Sequence, residues 1–270
     1  MRNFTTVCDF KYLPQGLALY KSLMKHNSSF VLYWGCITDE CLEAVMGLNM
    51  PNVIAFSTAN FPYNRMSHKE YCWSLASRFT WWILDRYDME DITYLDADLY
   101  FYQDYELIYD EIKHKSVGLV EHRIPSYKTV GKYNVGFIYF KNDFEGKTCL
   151  SRWAELTADK GNKYFEEYGS CGDQKYLELF DIWYPYNVHV IECGHGAWWV
   201  DRHYTFKDDH IIWNGQKQLF VYMHYSHFKL TKDSYTHDEM IPLQDSKWAR
   251  LKEYYDNYAI EVRGCQESIG

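Results

Sequence analysis

Two aspartates flank a single alanine in ITYLDADLYFY (92–102), where an apolar run ends. Asp96 and Asp98 repel each other at that spacing, so the pair is useful chiefly in a turn or beside a cation. Hard divalent ions such as Mg²⁺ and Mn²⁺ take carboxylate oxygens. Mg²⁺ commonly leaves several positions to water and substrate phosphates, which suits a nucleotide diphosphate better than a closed metal cage. An aspartate pair also serves as a plain polar strand exit. Its place at the end of an internal strand favours the cation.

Further polar residues stand at similar junctions. His224 closes the apolar run in LFVYMHYSHFK (219–229), with His227 and Lys229 just behind it. A histidine there is more often a core residue, but beside the aspartates an imidazole could complete a carboxylate-bound Mn²⁺. Lys229 could meet a phosphate. Asp173 and Gln174, in GDQ (172–174), fall at a helix start. Capping by Asp173 is the ordinary role and the one sequence physics favours; polar contact with a sugar is the other. Asn134 heads YNVGFIYF (133–140), where Gly136 reads as a bulge or as a point of close ligand approach. Trp198 and Trp199 in GHGAWWVDRHY (194–204) could form a sugar-stacking platform or an apolar wall, with His195, Arg202 and His203 as weaker candidates. Tyr254, Tyr255 and Tyr258 lie at helical spacing and read as packing residues.

These residues need a frame to hold them. Short β-rich runs at 4–8, 30–36, 52–57 and 92–102 alternate with helical patterns beginning near Pro14 and at 39–49 and 67–87. That alternation predicts an α/β fold with a mainly parallel sheet flanked by helices. In such sheets ligands bind at the carboxyl ends of the strands, where Asp9 and Asp96 fall. Strands follow at 116–122 and 133–143, helices at 146–159 and from 171, and a hairpin at 210–229 with Asn214-Gly215 as a type I′ turn. A C-terminal helix is expected at 246–260. There is no repeat or flexible linker, so 1–270 reads as one domain with a nucleotide-binding sub-region (1–105), an acceptor and sugar sub-region (106–230) and a helical segment (231–270).

Composition narrows the classes. The formal net charge of -9 does not fit a nucleic-acid binder, which needs a basic face. Aromatic residues make up 19% of the chain, with 26 Tyr and 10 Trp, and amphipathic rings suit sugar or base sites as well as cores. The eight cysteines lack zinc-site or redox-motif spacing. With no apolar signal region and no spanning run, the expectation is a reduced, cytoplasmic protein, with peripheral membrane contact still open.

Taken in order, FTTVCDFKYLPQGLALYKSL, ITYLDADLYFY, YNVGFIYF, GDQKYL and HYSHFK resemble nucleotide-sugar glycosyltransferases of the GT-A, Rossmann-like fold. They are similar in particular to bacterial glycosyltransferase family 8-like enzymes. The matching pieces run from residue 4 to residue 229. The resemblance implies that Asp96 and Asp98 hold Mn²⁺ (or Mg²⁺) on the donor diphosphate and that His224 is the third ligand. It places Lys229 near phosphate, Asp9 and Tyr12 at the base and ribose, and Arg78 or its competitor Lys69 on the donor. Asn134, Asp173 and Gln174 would face the donor sugar and the acceptor. It further implies a UDP-sugar donor, a glycan, lipid-linked or small-molecule acceptor, and transfer with retention. HYSHFK departs from the family, which usually has Gly after the histidine and then Lys-Pro-Trp. One rival is a sugar nucleotidyltransferase, but VCDFKYLPQG (7–16) offers only Gly16 and Lys11 where that class needs a Gly-rich basic loop. The other is a non-catalytic sugar-binding protein, which would need no metal.

Overall fold

The structure is a computed structural model and describes residues 1–62, 66–124, 130–158, 172–197, 204–207, 209–236 and 248–269. The chain divides into two compact units of interleaved segments.

The first unit comprises Met1–Phe10, Ser29–Asp96 and Ile112–Ile191. Its strands are β1 (Arg2–Cys8), β2 (Phe30–Cys36), β3 (Val53–Ser57), β4 (Asp91–Leu95), β6 (Val117–Glu121), β7 (Tyr133–Lys141) and β8 (Val188–Val190). They form one sheet in the order β3-β2-β1-β4-β7-β6-β8. β1, β2, β3 and β4 pair in parallel, as do β6 and β8, while β7 runs antiparallel to both of its neighbours. The sheet is therefore mainly parallel, as the alternating pattern predicts. β2 and β4 are almost wholly buried, the mark of strands covered on both faces. Helices α2 (Asp39–Gly47), α3 (His68–Arg86) and α5 (Phe144–Ala158) belong to this unit. α3 starts on a capping box in which Ser67 and Glu70 satisfy each other's backbone N–H groups. Its Ala76, Phe79 and Ile83 recur at helical spacing and bury one stripe in a core with Tyr94, Phe140, Trp153 and Phe180.

The second unit comprises Lys11–Ser28, Ala97–Glu111 and Glu192–Gly270. It holds α1 (Leu13–His26), β5 (Leu99–Phe101) and most of α4 (Glu106–Ile112). Later in the chain come β9 (Gly194–Ala197), β10 (Tyr204–Phe206), β11 (His210–Trp213), β12 (Gln216–His224), β13 (Lys229–Leu230), β14 (Tyr235–Thr236) and α7 (Trp248–Ile269). β12 is central, antiparallel to β11 and β5 and parallel to β9. The hairpin turn is as expected, with Asn214 at φ 49° and Gly215 at φ 79°, the left-handed pair of a type I′ turn. α1 packs against α7 and β5. Tyr255 and Tyr258 are buried, and Tyr258 stacks on Tyr225 at 3.7 Å between centroids, so these tyrosines do pack the core.

Several boundaries differ from expectation. The run 92–102 is not one strand: β4 ends at Leu95 and β5 begins at Leu99, in a different sheet. Asp96 gives its N–H to the Gly136 carbonyl at 2.9 Å, and Asp98 offers its carbonyl to the Tyr225 N–H at 2.9 Å. The aspartates thus occupy the switch from one sheet to the other. The helix expected from 171 is a 3-10 turn (Gln174–Leu177) leading into α6 (Glu178–Trp183). α7 runs past residue 260 to Ile269.

Candidate active site

The site builds outward from the end of β12. His224 is 4% exposed, and its Nε2 lies 3.1 Å from Oδ1 of Asp98. The β12–β5 register sets His224 opposite Leu99, the residue after Asp98, so strand pairing brings imidazole and carboxylate together. Asp96 completes the set: one ligand atom from each of Asp96, Asp98 and His224 lies within 4.8 Å of the others. Adjacent ligands of an octahedral ion at about 2.1 Å stand about 3.0 Å apart and opposite ones about 4.2 Å apart. Two carboxylates and one imidazole are a donor set that suits Mn²⁺ or Mg²⁺, and the His224–Asp98 distance matches adjacent ligands. Tyr94 donates its hydroxyl to Oδ1 of Asp96 at 2.7 Å, orienting that carboxylate as an outer hydrogen bond orients a metal ligand.

Asp173 corrects the capping expectation. It precedes the 3-10 turn, but its side chain makes no cap hydrogen bond, because the carboxyl turns inward instead. It is buried, and Oδ2 has no hydrogen-bond partner among the described residues. Burial first, and the Asp96 charge second, push its carboxyl well above the usual carboxylate range. A carboxyl that keeps its proton is a hydrogen-bond donor, which a second anion beside Asp96 would not be. Its carbonyl accepts the Trp153 indole N–H at 3.0 Å, fixing the backbone. Gln174 follows, half-buried, as the first residue of the turn. Asn134 is buried on β7, its Oδ1 accepting the Gly136 N–H at 2.9 Å. The β6–β7 register shifts here, so the bulge reading of Gly136 holds.

The first unit also carries a cavity of about 400 Å³ lined by Ile37, Thr38, Ala59, Phe61, Pro62, His68 and Tyr71. It lies at the carboxyl ends of β2 and β3 and the start of α3. Asp9 sits 3.8 Å from His68 at the end of β1. Arg78 is buried on α3, donating to the Pro62 carbonyl at 3.2 Å and the Ser74 hydroxyl at 3.1 Å, over the Phe61 ring. Burial lowers its guanidinium from the usual range. Its rival Lys69 is exposed, its ammonium 4.6 Å from the Trp73 ring centroid. Sequence reasoning missed Thr38, His68 and Tyr71. They come from two separate segments, Thr38 before α2 and His68 and Tyr71 on the first turn of α3, and the Ser67–Glu70 capping box is the one local signal that could have marked the place.

The remaining candidates fall elsewhere. Tyr12 is exposed at the start of α1, and Lys229 is exposed on β13. His227 is exposed in a left-handed conformation, φ 66°, outside the ligand set. His195 is buried in β9 with its ring stacked on Tyr222. Trp198, Trp199, Arg202 and His203 lie outside the described residues.

The fold is the GT-A, Rossmann-like fold found in solved glycosyltransferases. The galactosyltransferase LgtC, solved with donor and acceptor sugar analogues, matches with a TM-score of 0.60 over 97% of this chain and 99% of its own, at 12% identity. Mouse xyloside xylosyltransferase 1 in its apo form matches with a TM-score of 0.50 over 74% and 89%, at 15% identity. In sequence, the chain is 27% identical to the uncharacterized protein YfnF of Bacillus subtilis (strain 168), covering 84% of this chain and 82% of that one. It is 24% identical to YfnD of the same organism, covering 86% and 79%. No protein-family model matches the chain. Among the described residues, no helix is long and apolar enough to cross a membrane.

Proposed function

We propose that this chain is a metal-dependent glycosyltransferase. It moves a sugar from a nucleoside-diphosphate sugar, with UDP favoured, to a hydroxyl of a glycan, lipid-linked or small-molecule acceptor, with retention of configuration. On this reading residues 1–270 act as one catalytic domain in the cytoplasm. The observation that carries the reading is the Asp96–Asp98–His224 set at the carboxyl end of β4 in this fold.

Those three residues would hold the ion, and a divalent ion such as Mn²⁺ bound there would supply Lewis acidity and positive charge for a diphosphate leaving group. Tyr94 keeps the Asp96 carboxylate aimed. Asp173, buried and with its carboxyl Oδ2 unpaired among the described residues, meets the donor sugar, and Asn134 and Gln174 add neutral polar contacts. Asp9 and the cavity beside it take the base and ribose. Arg78, packed behind Pro62 and Phe61 of the cavity wall, contributes fixed positive charge.

A thermal-shift panel of nucleoside diphosphates and nucleotide sugars, with and without Mn²⁺, tests the proposal. A ligand at 100 times its Kd stabilises by about 2.7 kcal/mol, so the right nucleotide raises Tm by several degrees, and only with metal. A panel without any metal-dependent shift would contradict the reading.

A further inference from the structure

Asn134 is held at both ends of its amide. Oδ1 accepts the Gly136 N–H at 2.9 Å, and Nδ2 faces Nε2 of His122 at 3.4 Å. His122 is 5% exposed, and its Nδ1 lies 2.9 Å from the Gly131 carbonyl oxygen. A carbonyl can only accept, so Nδ1 carries the proton, and in the neutral ring Nε2 is then an acceptor. That fixes the amide. A flipped Asn134 would set Oδ1 against the Nε2 lone pair and its NH₂ against the Gly136 N–H.

Gly136 passes the constraint on. Leu119 pairs with Ile138 but Val120 pairs with Asn134, so residues 135–137 bulge away from β6. The Gly136 carbonyl accepts the Asp96 N–H at 2.9 Å. A path therefore runs by hydrogen bonds from the His122 ring through the Asn134 amide to the Gly136 N–H, across the backbone of that residue, and from its carbonyl to the N–H of Asp96.

We propose that His122 is a positioning residue of the metal site: a neutral, Nδ1-protonated imidazole that locks the Asn134 amide, and through the bulge at Gly136 sets the backbone of Asp96. This rests on the reading of Asp96 as a metal ligand, but not on which sugar is transferred. The effect of His122 on the metal site passes through the Asn134 amide and the bulge.

The test compares His122→Phe, which fills the space without hydrogen bonds, with His122→Gln, whose Oε1 can accept from Asn134. Two readouts are used: the backbone amide resonances of Asp96 and Gly136 by ¹⁵N NMR, and the affinity for Mn²⁺ alone. The Phe variant is expected to move both resonances and to weaken Mn²⁺ binding about five- to tenfold, the scale of one lost buried hydrogen bond. The Gln variant should recover most of that affinity. In an Asn134→Ala background, His122→Phe should add no further loss, because the path is already cut. A Phe variant with a lower Tm but wild-type Asp96 resonance and Mn²⁺ affinity would overturn the proposal, and so would equal losses in Phe and Gln. If the wild-type protein takes up no Mn²⁺, the metal reading fails by itself, and the Asp96 resonance alone decides whether His122 positions that backbone.

Discussion

Asp98 and His224 are joined by one short contact, and each makes a separable prediction. Asp98→Asn removes charge that a cation needs but relieves repulsion with Asp96. Mn²⁺-dependent UDP affinity should fall about tenfold or more, a loss of about 1.4 kcal/mol per decade, while the apo Tm holds or rises. A variant that melts well below wild type would return Asp98 to the role of structural cap. His224→Ala should weaken Mn²⁺-dependent binding by a similar factor and leave the metal-free binding unchanged. His227→Ala is the control, being exposed three residues on, and equal losses in calorimetry would break the assignment. Asp173 predicts a pH effect. Its folded pKa is raised, so between the ordinary carboxylate range and that raised value the folded state holds more protons than the unfolded one. Stability therefore falls as pH rises through that window. Asp173→Asn removes the loss, so the Tm advantage of the variant over wild type should grow as pH increases from about 4. An advantage that is flat with pH would show that the carboxyl is not displaced. The Asp96–Asp98 pair stood out in the sequence because charge at the end of an apolar run is costly without a purpose, whereas the choice of His224 leaned on the resemblance. The inward turn of Asp173 was not legible, because capping and burial look alike in three letters of sequence.

The elements behave as their periodicity predicts, and the exceptions have causes. β1, β2, β3 and α3 were readable from apolar runs and a long stripe broken by clear turn chemistry. The β4–β5 break was not, since apolar residues continue on both sides of Asp96–Ala97–Asp98 and only the pairing partners differ, β7 for one and β12 for the other. The wall of the cavity was hidden for a related reason: Thr38 follows β2, Ala59 follows β3 and His68 opens α3, and they meet only in the fold. α3 carries His68, Tyr71 and Arg78 and begins on the Ser67 cap. Ser67→Ala should cost about 1 kcal/mol, lowering Tm by about 2–4 °C. Nucleotide affinity should fall as well, because the first turn of α3 borders the cavity. An unchanged Tm in calorimetric melting would mean the cap contributes nothing.

At the scale of the whole molecule, the α/β class and the mainly parallel sheet followed from alternating strands and helices. The interleaving of two units did not, because contacts distant in sequence leave no local signal. Fold similarity to glycosyltransferases makes sugar transfer the reading to test, and metal-dependent nucleotide binding is its centre. Titration calorimetry of UDP into the wild-type chain, once with Mn²⁺ and once with EDTA, tests that centre most directly. Binding that is at least tenfold tighter with Mn²⁺, and that loses this advantage in Asp98→Asn, is the predicted result. Equal affinity in Mn²⁺ and EDTA would contradict the account.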